Sequence, residues 1–427
     1  MPPKIDENSL NDIMVCTLAC DASIVPRRAQ RGGGREQVSL AYLVYSRKMR
    51  YTRYRVNTQK KPTIVIRRGA YEYRALKPLI FGVADSFLHD KVRSGGRVVV
   101  KPNLLAPARP ERAMVTHPLV IRAVVEYALQ KGAKVCVSDS QAMGKFDRVL
   151  HESGIREALK GLDVEFREFT ESVEVDVGEP FKKIEIAKAA MEADLLINLP
   201  KLKTHTQMRM TLGVKNLFGC VVGLRKPEWH LRTGVNRELF ATLLVKVHNA
   251  VSPVLTIIDG ILAMQGQGPG RSGTPRELGI IAAGSNTYAL DVTLCRILGV
   301  EPSSVFTNKA AADMGYIPED IEIDGEAPAI DNFAVPDVAP LVFGPERMHG
   351  FMRRHLLQRP LSDDSACRLC GECWKYCPAK AISIEGHRIH FDYEKCIRCY
   401  CCIEVCPQGA LQAKEPLLGK LVRKLKK

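Results

Sequence analysis

Nine of the 14 cysteines in this 427-residue chain fall between Cys367 and Cys406. Cys367, Cys370, Cys373 and Cys377 are spaced C-x2-C-x2-C-x3-C with Pro378 next; Cys396, Cys399, Cys402 and Cys406 repeat that spacing with Pro407 next. Three thiolates on one tight loop hold three irons of a cubane, and the fourth iron takes a thiolate from elsewhere. Where two such motifs share a chain, each trailing cysteine serves the other cluster. The spacing therefore predicts two [4Fe–4S] clusters, one on Cys367, Cys370, Cys373 and Cys406, the other on Cys396, Cys399, Cys402 and Cys377. Zinc would draw on pairs of C-x2-C rather than on triplets with a trailing Cys-Pro. Cys401 breaks the spacing and is expected to ligate nothing. Two neighbouring clusters suit conduction of electrons better than stapling of a small domain.

The repeat continues past the cysteines: Pro378-Ala379-Lys380-Ala381-Ile382 answers Pro407-Gln408-Gly409-Ala410-Leu411. In this pseudo-twofold the segment resembles a bacterial-type two-cluster ferredoxin. The other five cysteines, Cys16, Cys20, Cys136, Cys220 and Cys295, are scattered, as reduced thiols are in a cytosolic protein.

A second set of reactive side chains comes earlier, each group just after an apolar run. Lys101-Pro102-Asn103 follows 97–100, Ser138-Asp139-Ser140 follows 134–137, Pro200 to His205 follows 194–198, and Asp259-Gly260 follows 254–258. Further strand-like runs lie at 63–66 and 278–282. Helical spacing covers His117–Lys131, with Pro118 near its start and Gly132 past its end, and Asn286–Leu298. Strands alternating with helices predict an α/β domain, a mostly parallel sheet with flanking helices, plus a small C-terminal α+β two-cluster domain.

Ligands of open parallel sheets bind beyond the carboxyl ends of the strands, so the four polar groups are expected on one rim. Lys201, Lys203 and His205 alternate and point the same way from an extended segment. Cations there suit a carboxylate or phosphate. Lys203 and His205 are the candidate catalytic pair, His205 as a proton shuttle near neutral pH. Lys215 and Asn216, between Gly213 and Gly219, mark a loop that can approach a ligand. Gly266, Gly268 and Gly270 lack dinucleotide-binding spacing and do not directly follow an expected strand. His230 and His248 read as structural.

The domains expected are a basic, disordered extension (1–62), the α/β domain (63–343), a linker (344–364), the cluster domain (365–413) and a basic tail (414–427). The formal charge is +15, of which residues 1–62 carry +7 and residues 414–427 carry +5. Solvated ends of this kind do not make the basic stripe of a nucleic-acid binder. No apolar run approaches the ~20 residues of a membrane span, and the acidic N-terminus lacks a secretory pattern. A cytoplasmic protein is expected.

V-K-P-N-L at 100–104, T-H-P at 116–118, P-K-L-K-T-H at 200–205, T-L-G-V-K-N-L-F-G at 211–219 and D-G-I at 259–261 together resemble the domain of unknown function 362 family. Its members often carry a C-terminal two-cluster ferredoxin module. The resemblance spans roughly 63–411 and implies architecture but no reaction. Its motif positions here are Lys101, Asn103, His117, Lys203, His205, Lys215 and Asn216, which with Lys201 make the expected substrate-binding and catalytic set. Three functions are compatible: a redox enzyme passing electrons to a small anionic substrate or cofactor, a non-catalytic electron carrier to a partner protein, or a metal or cofactor maturation factor with His117 and His205 as ligands.

Overall fold

A computed structural model describes residues 61–326, 328, 330–337, 351–352, 355–419 and 421. All but the last two residues of the basic extension lie outside this set, as do residues 344–350 and 353–354 of the linker and the end of the tail. The central strands are Thr63–Arg68 (β1), Arg97–Pro102 (β2), Lys134–Asp139 (β3) and Val164–Glu168 (β4); Ser172–Gly178 (β5) and Lys182–Ala187 (β6) form a separate hairpin. Then come Leu195–Leu199 (β7), Lys201–His205 (β8), Arg209–Thr211 (β9), Leu255–Gly266 (β10), Gly273–Gly284 (β11) and Glu322–Asp324 (β12). The sheet order is β12-β1-β11-β10-β7-β2-β3-β4. From β10 to β4 every pairing is parallel.

The apolar runs are nearly continuous because both sheet faces are covered. Val98 and Val100 pack with the helices Tyr73–Leu88 and Pro118–Gln130, whereas Val99 between them packs with the helix Arg237–Val251. The run at 278–282 lies in β11, which is antiparallel to β10 and β1. The six residues joining β10 to β11 are too few for a parallel crossover, which takes a dozen or more.

Strand β10 is long because it has successive partners. Leu255 and Thr256 pair with β7; Asp259 and Met264 pair with β8, which resumes after Pro200. The β8–β9 and β10–β11 hairpins therefore overshoot the rim formed by β2, β3 and β7. The glycine-rich run does follow a strand directly, since Gly266 ends β10, but it leads into β11 rather than into a helix. A Cβ on Gly270 would sit 3.0 Å from the Glu404 carbonyl oxygen, and Ser272 Oγ donates to the carbonyls of Gly409 and Leu411. This turn seats the cysteine-rich module.

The module repeats itself in space. Arg359–Ser362 (β13) pairs with Leu411–Lys414 (β16), and Ile382–Glu385 (β14) with Arg388–Phe391 (β15). The Asp363 N–H donates to Ala410 O at 2.8 Å, and Asp392 N–H to Ala381 O at 2.9 Å. Left-handed backbone recurs at matched positions: Leu369 and Arg398, Gly371 and Tyr400, Lys380 and Gly409. Strained non-glycine positions held in both halves mark loops shaped for a task. The strand pair Arg359–Ser362 with Leu411–Lys414 frames the module, so its first strand lies in the stretch expected as linker. The described residues of both domains belong to one compact unit.

Candidate functional site

A cavity of about 260 Å³ lies between the carboxyl rim of the sheet and the cysteine-rich module. Asn103, Asp139 and Ser140 reach it from the ends of β2 and β3, Lys203 and His205 from β8, and Lys215 and Asn216 from the helix Gly213–Asn216. Tyr376, Cys401, Glu404 and Val405 of the module form the opposite wall. Five of the expected residues therefore meet in one place. Lys101, Lys201 and His117 do not line it.

Lys203 is buried, and its Nζ donates to Asn103 Oδ1 and Met114 O, each at 2.6 Å. Asn103 Nδ2 donates to Asn216 Oδ1, and Asn216 Nδ2 to Asn198 Oδ1, both at 2.8 Å. This amide chain fixes the lysine tip against β2, β7 and the Gly213–Asn216 turn. Burial pushes Lys203 down to about 7, more than the Glu404 carboxylate opposes. An amine poised there gives or takes a proton at neutral pH.

His205 is engaged at both ring nitrogens. Its Nδ1 accepts the backbone N–H groups of Gln207 (3.1 Å) and Met208 (3.2 Å), so its hydrogen sits on Nε2, 3.0 Å from Glu404 Oε1. Burial lowers it to about 4. The Nε2–Oε1 contact links β8 to the module. Burial raises Glu404, but the charges of His205 and Lys215 outweigh it and hold the carboxyl at about 2.

Lys215 lies 5.7 Å from the Phe218 ring centroid and has no hydrogen bond or ion pair among the described residues, so its charge is available to the cavity. Two lining residues escape a strand-end reading, Lys226 and His230. They sit at i and i+4 on the helix Arg225–Thr233, which puts them on one face, and that spacing is the signal the sequence offers. Lys226 Nζ donates to Ser140 O (2.7 Å) and Oγ (2.6 Å). The buried His230 ring packs on Phe240, its Nδ1 without a hydrogen-bond partner among the described residues.

Lys101 stays behind the wall, its Nζ 2.8 Å from Asp139 Oδ1 with both side chains buried. This pair fastens β2 to β3 and explains Gly219, where a Cβ would run into Asp139 Oδ1 and lie 2.7 Å from Lys101 Nζ. Gly219→Ala is expected to cost about 1–3 kcal/mol through overpacking, measured as a lowered midpoint of thermal unfolding.

Lys201 and His117 belong to another cluster, centred on the fully buried Asp259. Lys201 Nζ (2.9 Å) and the His117 N–H (2.8 Å) donate to Asp259 Oδ2, while Tyr71 O–H donates to Oδ1 at 2.6 Å. The His117 ring stacks on Tyr71 at 3.5 Å, and its Nδ1 caps the helix Pro118–Gln130. His117 and His205 thus sit in separate clusters. Among the described residues no three His, Cys, Asp or Glu side chains are placed to hold a single metal ion.

One set of four thiols is gathered around a common void, the grouping a cubane needs. Cys377, Cys396, Cys399 and Cys402 line one small void, although Cys377 comes from the other motif. Burial, together with the neighbouring thiols of Cys406, Cys370 and Cys367, raises Cys373 to about 11. Cys401 lines the cavity and not the void. Cys370 is exposed and Trp374 is 57% exposed, so the first motif faces solvent.

Comparison with known proteins is consistent with this division. Residues 98–296 match the profile described as domain of unknown function (DUF362), and residues 359–407 match that of a 4Fe-4S dicluster domain. A thylakoid-associated protein of Synechocystis sp. is 38% identical over 263 residues, 60% of this chain and 82% of that protein. A pyruvate synthase subunit of Thermotoga maritima is 37% identical over 59 residues, 14% of this chain and 60% of that one. A component of an ion-translocating oxidoreductase complex from Methanosarcina acetivorans is 32% identical over 71 residues, 16% of this chain and 27% of that one. The lactate racemase apoprotein of Thermoanaerobacterium thermosaccharolyticum overlaps 58% of each chain at 12% identity and a TM-score of 0.38.

Proposed function

We propose that this chain, which belongs to the domain of unknown function 362 family and carries a C-terminal 4Fe-4S dicluster domain, passes electrons to a small anionic molecule held in the cavity between its two domains. Cys367, Cys370, Cys373 and Cys406 would hold one [4Fe–4S] cluster, and Cys396, Cys399, Cys402 and Cys377 the second. When bound, these clusters supply one-electron transfer. The observation that carries the reading is the shared wall: the helix Cys401–Glu404, which contains the ligand Cys402, also lines the cavity.

Each residue then has a part. Lys215 attracts the anion, and Asn103 and Asn216 orient it. Lys203 donates the proton that accompanies reduction. His205, through Glu404, is a positioning residue that holds the module against β8. A redox partner reaches the first-motif cluster at exposed Cys370 and Trp374. Thiolate clusters persist in reducing surroundings, which favours the cytoplasm; among the described residues no helix is long and apolar enough to cross a membrane.

Native mass spectrometry of the anaerobically purified chain tests this reading. A small molecule is expected to stay bound to the wild type, to be lost from Lys215→Met at unchanged iron content, and to reoxidise the reduced clusters when added back. No retained mass and no ligand-dependent reoxidation, with iron intact, would leave only the electron carrier.

With that molecule in hand, the sign of the pH dependence is fixed. Lys203 is protonated below about 7, so reoxidation should be fast there and fall about tenfold per pH unit above it. Lys203→Met should slow the step by about 10²–10⁴ and abolish that limb in stopped-flow traces.

A further inference from the structure

The lining of the cavity changes character toward solvent. Lys203, His205, Asn216, Lys226 and His230 are at most 9% exposed and give the floor its charge and hydrogen-bonding groups. Nearer the surface the lining is largely apolar. Leu105, Ala142, Met143, Pro227 and Tyr376 are half-buried, and Leu224 is 80% exposed. The charged and amide side chains at that depth are already engaged, apart from Lys215. Gln141 Nε2 donates to Glu168 Oε1 at 2.7 Å, Asn103 joins Lys203 to Asn216, and Glu404 holds His205.

The outer apolar groups are fixed in place. The carbonyl oxygen of Leu105 accepts the N–H groups of Ala142 (3.0 Å) and Met143 (3.2 Å), which joins the loops after β2 and β3. Leu105 and Met143 rest on the core cluster that includes Met114 and Met264. Leu224 is held by the residue before it: Gly223 has a φ of +54°, and its N–H donates to Ser140 Oγ at 3.1 Å, the oxygen that Lys226 also grips. A single exposed leucine is ordinary on a protein surface. A leucine anchored to the same serine as a buried lysine, with five further apolar groups lining the same cavity, describes a site for an apolar group. The cavity, at about 260 Å³, also approaches the ~300 Å³ at which sites for drug-sized molecules begin, more than a short acid fills.

We infer that the anion is amphiphilic: its acidic end lies on the floor at Lys203, Lys215 and Asn216, and an apolar chain or ring extends outward along Leu105, Met143 and Leu224. This rests on the proposed function, which supplies the anion, and adds the apolar half. Covering the outer lining removes apolar surface from water, so the part of the molecule that does not react contributes binding energy.

Calorimetric titration of the full iron-loaded chain with straight-chain carboxylates from acetate to octanoate tests the inference, with the matching alkyl phosphates run alongside to identify the head group. Affinity should rise about threefold to fourfold per methylene until the chain clears the apolar lining. Lys215→Met should weaken every member by about tenfold. The double variant Leu224→Ser, Met143→Ala should flatten the series to less than about twofold per methylene, with iron content unchanged; Leu224→Ser alone, at an exposed position, should flatten it in part. A flat wild-type series whose acetate binding still depends on Lys215 would overturn the inference and leave the proposed function standing. So would a rise that the double variant does not flatten. No binding by either series, or binding indifferent to Lys215→Met, would overturn both.

Discussion

Cys406→Ser is expected to empty the same iron–sulfur site as Cys367→Ser, although 39 residues and a whole motif separate them. Each single variant should retain about half of the wild-type iron and acid-labile sulfide after anaerobic reconstitution. The double variant Cys367→Ser, Cys406→Ser should retain no less than either single one, because both losses fall on one cluster. Cys367→Ser with Cys402→Ser should retain almost none. Cys401→Ser should be indistinguishable from wild type in iron, since that thiol faces the cavity and not the void lined by Cys377, Cys396, Cys399 and Cys402. The crossed arrangement would be refuted if Cys406→Ser and Cys402→Ser together left half of the iron in place, for then each motif would serve itself.

The second large effect is on stability. Asp259→Ala should lower it by about 3–5 kcal/mol, because removing one partner strands a charge in the interior. The Lys201 ammonium is fully buried and has Asp259 as its counterion at 2.9 Å. The same carboxylate accepts the Tyr71 hydroxyl and the His117 N–H. In a domain of this size such a loss lowers the thermal midpoint on the order of 10 °C. Replacing both charges, as Lys201→Met with Asp259→Leu, should recover much of the loss, since a buried pair exchanged for packed apolar groups is often nearly neutral. A drop of less than about 2 °C for Asp259→Ala would mean that water reaches Lys201.

These expectations rest on features that differ in how far the sequence discloses them. The cysteine spacing and the apolar strand runs are local patterns, and the strands they mark lie where the runs are: 97–100 inside Arg97–Pro102, 134–137 inside Lys134–Asp139. The placement of polar groups after strands brings Asn103, Asp139 and Lys203 toward one rim. The same rule fails for Lys201. It shares a strand face with Lys203, but Tyr71, more than a hundred residues away, arrives to claim it with Asp259. No spacing announces a partner at that distance. The direction of β11 is likewise hidden, because it depends on where β10 ends. Lys226 and His230 escape for a milder reason: they enter the cavity from a helix, and a rule that looks beyond strand ends passes over them.

The wall that Cys401, Glu404 and Val405 give to the cavity also sets an order of events. Every α/β residue that lines the site precedes them in the chain, so during synthesis the bowl exists before its far side does. That far side belongs to the stretch that matches a 4Fe-4S dicluster domain. Under the proposed function, retention of a small molecule would report on iron loading, and a cell short of iron would hold chains whose cavity is open where it should close.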